Sequence, residues 1–310
     1  MRSHRVLFVL ALAAACGARS ELDLPTASLP PGGASPVGGG GTGGIGGMGG
    51  TGGFGGEGGM GGQGGMPPEC EPGALLVYLV SSSNVLYSYD PSTGQVKVKG
   101  TLACDASGPT PFSMGVDRVG TAFVLYNDGN LYRVSTEDAS CSPTEFVPGQ
   151  FGFFTFGMGF ARNVDTDSDE LFVTEINFDQ LKSLGLARID TDTLDLFPIA
   201  PYSSALGDHM EMTSSSDGNL YGYSLDQNGG GWILEIDKTN ADILASTFLP
   251  VGDQSSALAF AFWSDDFYIF TAAGPQTVVT RYRPADESLS VVKNIQDTIV
   301  GAGVSTCDPM

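Results

Sequence analysis

Five times along this chain an apolar strand runs into a turn rich in Asp, Thr and Pro, and another strand follows. The copies are Tyr87-Ser88-Tyr89-Asp90-Pro91-Ser92-Thr93-Gly94, Tyr132-Arg133-Val134-Ser135-Thr136, Ala187-Arg188-Ile189-Asp190-Thr191, Leu234-Glu235-Ile236-Asp237-Lys238 and Thr280-Arg281-Tyr282-Arg283-Pro284. Measured between Tyr89, Val134, Ile189, Ile236 and Tyr282, the spacings are 45, 55, 47 and 46 residues. A repeat of that length matches one four-stranded blade of a β-propeller. From residue 74 onward the apolar runs are short and alternating, with Gly, Asp, Asn, Ser and Pro between them. No segment sustains a helical period, so the block reads as all-β.

A second repeated feature fixes the order of the strands. Short strands that alternate small and large residues recur at Ser113-Met114-Gly115-Val116, Gly157-Met158-Gly159-Phe160, His209-Met210-Glu211-Met212, Ala259-Phe260-Ala261-Phe262 and Gly301-Ala302-Gly303-Val304. Side chains on a strand alternate between its two faces, so one face of each is small. The innermost strands of a propeller crowd around the axis and need such a face. The fifth copy has no blade after it, and the first blade, Leu75 to Leu102, has no copy before it. The expectation is a five-bladed propeller over residues 67–310. Residues 301–307 close it by pairing with the strand near 75–82, which removes the exposed sheet edges.

The chain ahead of this block cannot bury a core. Residues 32–65 hold 22 of the 45 glycines, and residues 43–66 repeat Gly-Gly-x. That composition is a disordered linker, reaching roughly 30–35 Å as a random coil. At the start, Arg2 and Arg5 precede the ten-residue apolar run Val6 to Ala15. That run is too short to cross a bilayer, which takes about 20 residues, and it fits a signal peptide over residues 1–15. Cys16 follows Ala13-Ala14-Ala15 directly. This arrangement resembles the lipobox of bacterial lipoproteins, although Leu12 stands four residues before the Cys where that family prefers three. The resemblance implies lipidation of Cys16, the start of a lipidated linker over residues 16–66. Gly17 after it, where an Asp would signal inner-membrane retention, implies an outer-membrane or cell-surface address. Anchor, GGx linker and β-domain together resemble uncharacterised lipoproteins of the myxobacterial type.

The five cysteines fit this address. With Cys16 acylated, four remain for two disulfides in an oxidising compartment. Cys70 precedes the first strand and Cys307 ends the last, so ring closure pairs them. Cys104 and Cys141 pair by elimination, although a plain up-and-down blade puts them at opposite ends. Fourteen basic residues against 35 acidic ones exclude a nucleic-acid partner, because the chain repels phosphate.

Among candidate sites, His209 and Glu211 stand out. Four of the five inner strands carry only Gly, Ala or Ser at the aligned positions, so this pair, with the neighbouring Asp208, faces the axial channel as a ligand site or as a polar plug. Asp165, Asp167 and Asp169 alternate like the start of a calcium loop. Glu170 and Ile176 stand where an EF-hand needs Gly and Glu, which leaves a looser oxygen-ligand site or a solvated hairpin turn. No other cofactor is implied. Phe151, Phe153, Phe154 and Phe156 pack a wedge between blades 2 and 3 or stack sugar rings. Trp232 and Trp263 carry the same two readings. The chain lacks a nucleophile elbow, a Walker loop, an H-E-x-x-H motif and a C-x-x-C pair. The expectation is a monomeric, membrane-anchored binding or scaffold module for a glycan or protein. The alternative is a secreted carbohydrate-active hydrolase using channel carboxylates.

Overall fold

The computed structural model of the chain describes residues 75–104, 108–177, 182–226, 229–251 and 255–307. The expected signal segment, Cys16, the Gly-rich linker and Cys70 lie outside the described residues. Within them, twenty strands form five antiparallel sheets of four. Blade 1 takes β1 (Val77–Ser81), β2 (Val85–Asp90) and β3 (Gln95–Thr101). Blade 2 is β4 (Pro111–Val116), β5 (Thr121–Tyr126), β6 (Leu131–Ser135) and β7 (Cys141–Pro143). Blade 3 is β8 (Phe156–Asn163), β9 (Ser168–Glu175), β10 (Leu186–Ile189) and β11 (Leu196–Ala200). Blade 4 is β12 (Met210–Ser214), β13 (Leu220–Leu225), β14 (Gly231–Ile236) and β15 (Ile243–Leu249). Blade 5 is β16 (Ala257–Trp263), β17 (Asp266–Ala272), β18 (Thr277–Arg283) and β19 (Ser288–Ile295). The last strand, β20 (Ile299–Gly303), returns to blade 1 and becomes its innermost strand.

This is the expected five-bladed propeller. The repeat markers all fall on the third strand from the axis, and the small-residue strands are the innermost ones. Closure uses the expected two strands: β20 pairs antiparallel with β1, placing Tyr78 opposite Gly303, Leu79 opposite Ala302 and Val80 opposite Gly301, but the ladder begins at Ile299 and ends at Gly303, so residues 304–307 run beyond it. The inner strands touch in the ring order β20, β4, β8, β12, β16 and back to β20. Their glycines set how close they come. A Cβ on Gly157 would lie 2.0 Å from the Met210 carbonyl oxygen, and one on Gly301 would lie 2.8 Å from the Met114 amide nitrogen. Both are distances that real Cβ atoms do not occupy, so side chains there would force neighbouring blades apart.

The core is divided in the same way as the ring. Each blade interface has its own apolar cluster, for example Tyr78, Val80 and Leu86 against Met114, Val124 and Val134 between blades 1 and 2. Between blades 5 and 1, Val77, Leu79 and Tyr89 meet Tyr268, Phe270 and Val279. Strand β1 is buried along all five residues, with Val77 and Leu79 facing one neighbour and Tyr78 and Val80 the other. Both faces of each blade are therefore interior, and the alternation puts apolar groups on both.

Cys104 and Cys141 form the expected disulfide, with Cα atoms 5.1 Å apart. The difficulty with plain up-and-down geometry is resolved by blade twist. Adjacent strands rotate by about 20–25°, so the outermost strand swings far from the axis direction. The end of β3 thereby reaches the β6–β7 turn of blade 2, where a Cβ on Gly100 would lie 2.9 Å from both Ala139 Cβ and the Asp138 carbonyl. The bridge ties the outer edges of blades 1 and 2 together. Cys307 is also disulfide-bonded, and Cys70, its expected partner, lies outside the described residues.

Replacing Gly157 with Ala should cost about 2–4 kcal/mol through overpacking at the ring. Gly274→Ala, where an added Cβ meets nothing within 4 Å, should stay within about 0.5 kcal/mol of wild type. Urea unfolding of both variants checks this, and equal midpoints would refute the close-approach account.

Candidate functional site

The axis carries the first candidate. Strand β12 places Glu211 inward, and its side chain crosses to a non-adjacent blade. There the Ser113 hydroxyl of β4 donates to Glu211 Oε2 at 2.7 Å. Only a side chain at the axis can span blades 4 and 2 past blade 3, and Gly157 of blade 3 lies beside the Glu211 Cα. Both partners are buried. Burial pushes the Glu211 carboxyl well above the usual carboxylate range, and the hydrogen bond from Ser113 opposes this only in part. Glu211 is thus a polar bolt across the ring.

Asp208 and His209 sit just before β12, at the end of the ring where the inner strands begin. Backbone geometry is unusual there: His209 has φ 58°, a left-handed conformation that non-glycine residues seldom adopt. Asp208 Oδ1 accepts from the Ser183 amide at 2.8 Å, and Glu175 Oε2 accepts from the Leu184 amide at 3.1 Å. Burial raises the Glu175 carboxyl, while the Leu184 amide and His209 pull it back. Two carboxylates therefore fasten the segment before β10. Glu175 escaped the sequence reading because it looks like any polar residue at the end of an apolar strand.

The Asp165–Asp169 turn takes arginines as its partners. Arg118, from the β4–β5 turn, reaches Asp169 Oδ1 through Nη2 at 2.6 Å and Nε at 3.1 Å, and its amide donates to Oδ2. Arg162 Nε donates to Asp167 at 2.7 Å. Thr306, after β20, donates to Asp169 at 2.6 Å. The turn thus joins blades 2 and 3 through charge and blade 1 through the Thr306 hydroxyl. Among the described residues no group of three His, Cys, Asp or Glu side chains is close enough to hold a metal ion. The phenylalanine run divides: Phe153 and Phe156 fill the wedge between blades 2 and 3, whereas Phe151 is 70% and Phe154 49% exposed. Trp263 Nε1 donates to the Leu75 carbonyl at 2.8 Å and helps hold the start of blade 1. Trp232 packs edge-on against Phe248.

A second candidate was not foreseen. Between blades 4 and 5 lies a cleft of about 670 Å³. Its floor is aromatic. Tyr221 stacks parallel to Phe262, with ring centres 6.0 Å apart, and meets Phe267 edge-on at 5.0 Å. Phe267 stacks in turn on Tyr282. Its rim is acidic, with Asp217, Glu235 and Asp265, and no Lys, Arg or His lines it. Hairpin chemistry presents Asp265. Ser264 and Asp265 have φ 49° and 64°, which suits the two-residue turn between β16 and β17, where Trp263 pairs with Asp266. The outer wall is made of the small residues Ala245, Ser246 and Thr247 of β15, and this leaves the space open. Burial raises the Tyr221 phenol, and the charges of Glu235 and Asp217 raise it further. The sequence signal was present in the small residues of β15, but reading it requires knowing that β15 faces blade 5.

No protein-family model matches the chain, and no curated protein matches it. Solved structures similar to it include the Dos1 propeller, at 12% identity and a TM-score of 0.39, covering 71% of this chain and 56% of that one. TolB from Acinetobacter baumannii is similar at 12% identity and TM-score 0.43, covering 77% and 56%. A chain of a nidogen/laminin complex is similar at 12% and 0.44, covering 74% and 97%. This chain thus spans little more than half the length of the first two.

The raised Glu211 carboxyl sets a sign. The unfolded chain releases that proton at lower pH than the folded one, so stability falls as pH rises above the ordinary carboxylate range and levels off beyond the folded value. Glu211→Gln keeps a hydrogen-bonding partner for Ser113 and has no proton to lose. Unfolding midpoints measured from pH 4 upward should therefore shift in favour of the variant as pH rises. A constant difference would show that Glu211 is not held toward its neutral form.

Proposed function

We propose that this protein is an exported, lipid-anchored propeller that acts as a binding module, with the cleft between blades 4 and 5 as its ligand site. The observation that carries this reading is the cleft itself. Its volume lies within the roughly 300–1,000 Å³ of ligand pockets, and it combines an apolar aromatic floor with a few polar groups. The disulfide between Cys104 and Cys141 supports an oxidising compartment. Cys16 would supply the anchor, and acyl chains at about 0.8 kcal/mol per buried CH₂ make such an anchor stable. Pairing of Cys70 with Cys307 would lock the ring closure covalently. A hydrolase using the axial carboxylate has less support, because Glu211 is committed to Ser113 in a closed axis.

Two measurements test the two halves of the proposal. Palmitate should label the wild type and not Cys16→Ser; label that survives the substitution would refute the anchor. Glycan and peptide arrays probed with the full chain should give signals that Ala245→Trp removes by filling the cleft. Because residue 245 lies on an exposed outer strand, that variant should unfold at the wild-type temperature. Signals that persist in it would place the ligand elsewhere.

A further inference from the structure

The cleft is bounded by a sheet edge unlike the other four. The outermost strand of each blade leaves a row of backbone donors and acceptors unpaired, which invites pairing with another chain unless charge, proline or irregularity blunts it. Strand β3 carries Lys97 and Lys99. Strand β7 is three residues long and ends in Pro143. Strand β11 carries Pro198, and β19 carries Lys293 and a shift of register midway along its pairing. Strand β15 has none of these. Its residues Ile243–Leu249 include no charge and no proline. Its register with β14 is regular from Ala245 to Leu249, with the one shift at its first residue. Residues 244–248 are all exposed.

This open edge faces the acidic cleft. Tyr221 pairs with Glu235, and Glu235 pairs with Ala245, so the three form one cross-strand row on the cleft face. A strand added to β15 would lie a further 4.7–4.9 Å out or so and continue that row. Opposite Ala245 it would place a side chain with only a methyl group between itself and Glu235. A long basic side chain fits that position, with its stem over the small wall and its charge at Glu235. Other acids near basic groups are already engaged: Asp169 holds Arg118, and Asp266 holds Arg283. The side-chain carboxylates of Glu235 and Asp265 have no hydrogen bond or ion pair among the described residues. The partly exposed rings of Tyr221 and Phe262 add a surface that attracts cations.

We propose that β15 and the adjoining cleft take an extended segment of a partner protein as a fifth strand of blade 4, with lysine or arginine at alternate positions entering the cleft. This rests on the cleft being the ligand site. A second copy of the chain is a poor occupant, because it would set one anionic cleft against another.

The probe is a fluorescein-labelled peptide of about eight residues alternating threonine and lysine, a typical strand length, titrated into the full mature chain. Saturable anisotropy is expected for this peptide and none for its threonine–glutamate counterpart. N-methylation of alternate residues, which removes the backbone donors, should weaken binding at least ~10-fold. Glu235→Gln, with unchanged unfolding temperature, should weaken it ~5-fold or more, and added salt should weaken it too. Absence of binding, or equal binding by the methylated peptide, would overturn strand addition. Equal binding by Glu235→Gln would overturn the assigned cation site. Dimers lost in Ala245→Trp would assign the edge to a second copy and overturn the proposal. Cleft-dependent glycan signals on the arrays, with no binding of the lysine peptide, would leave the binding module standing and remove only this inference.

Discussion

The pairing of β20 with β1 is the contact on which the rest of the molecule depends. Without it blade 1 has no innermost strand, and the inner ring is broken between β16 and β4. The pairing is reinforced at both ends. Asp297, before β20, accepts from Ser83 at 2.7 Å and from Tyr87 at 2.9 Å. Burial, and after it the contact with Asp297, pushes the Tyr87 phenol up to about 12. At the other end Thr306 joins the Arg118–Asp169 pair. Closure is a contact of very high sequence separation, and its loop entropy has to be overcome by groups that act together. The backbone ladder, the buried apolar face of Val77 and Leu79, and the two polar clusters supply them.

Closure also explains the composition of the axis. Five inner strands converging on one line leave no room for side chains directed at a neighbour's backbone, so Gly157, Gly159, Gly301 and Gly303 are required by contact rather than by turn geometry. Glu211 is the converse. One long polar side chain takes the space that these glycines leave, and Ser113 satisfies part of it across the ring. A buried carboxyl with a single donor has reason to favour its neutral form, so the axis is closed by a group whose charge the fold resists.

What was legible in the sequence was whatever repeats. The third strands, the inner strands and the closing strand each have a local signature, and five copies remove the ambiguity of any one. The Cys104–Cys141 pairing was legible by counting, although its geometry depended on blade twist, which no residue encodes. Features made once, by residues far apart, were hidden. Asp167 and Asp169 looked like an oxygen-ligand turn because Arg118 lies about fifty residues away on another blade. The run around Phe151 and Phe154 gave no indication of which rings point outward, since that depends on the left-handed turn at Phe151, with φ 50°. The cleft was invisible for the same reason. Its lining comes from the β12–β13 turn, β13 to β15 and blade 5, and what makes it a cleft is the smallness of residues on a strand whose neighbour only the ring determines.

The acidic character of the chain acquires a more specific meaning from this distribution. Many of its carboxylates are spent locally: Asp90, Asp237 and Asp286 accept first from a neighbouring hydroxyl and then from amides, Asp190 from amides, and these bonds within their own turns hold each carboxyl below its usual value. Others are matched to arginines between blades. Acids used in these ways shape the fold and do little for recognition, because their charge is already answered. Glu235 and Asp265 are different, since neither caps a turn nor meets a cation. Burial first, and after it the charges of Glu235 and Asp217, keep the Tyr221 phenol beside them in its neutral form. Small residues, free carboxylates and an unblunted edge at the same place are mutually explained if that interface is shaped for an incoming chain.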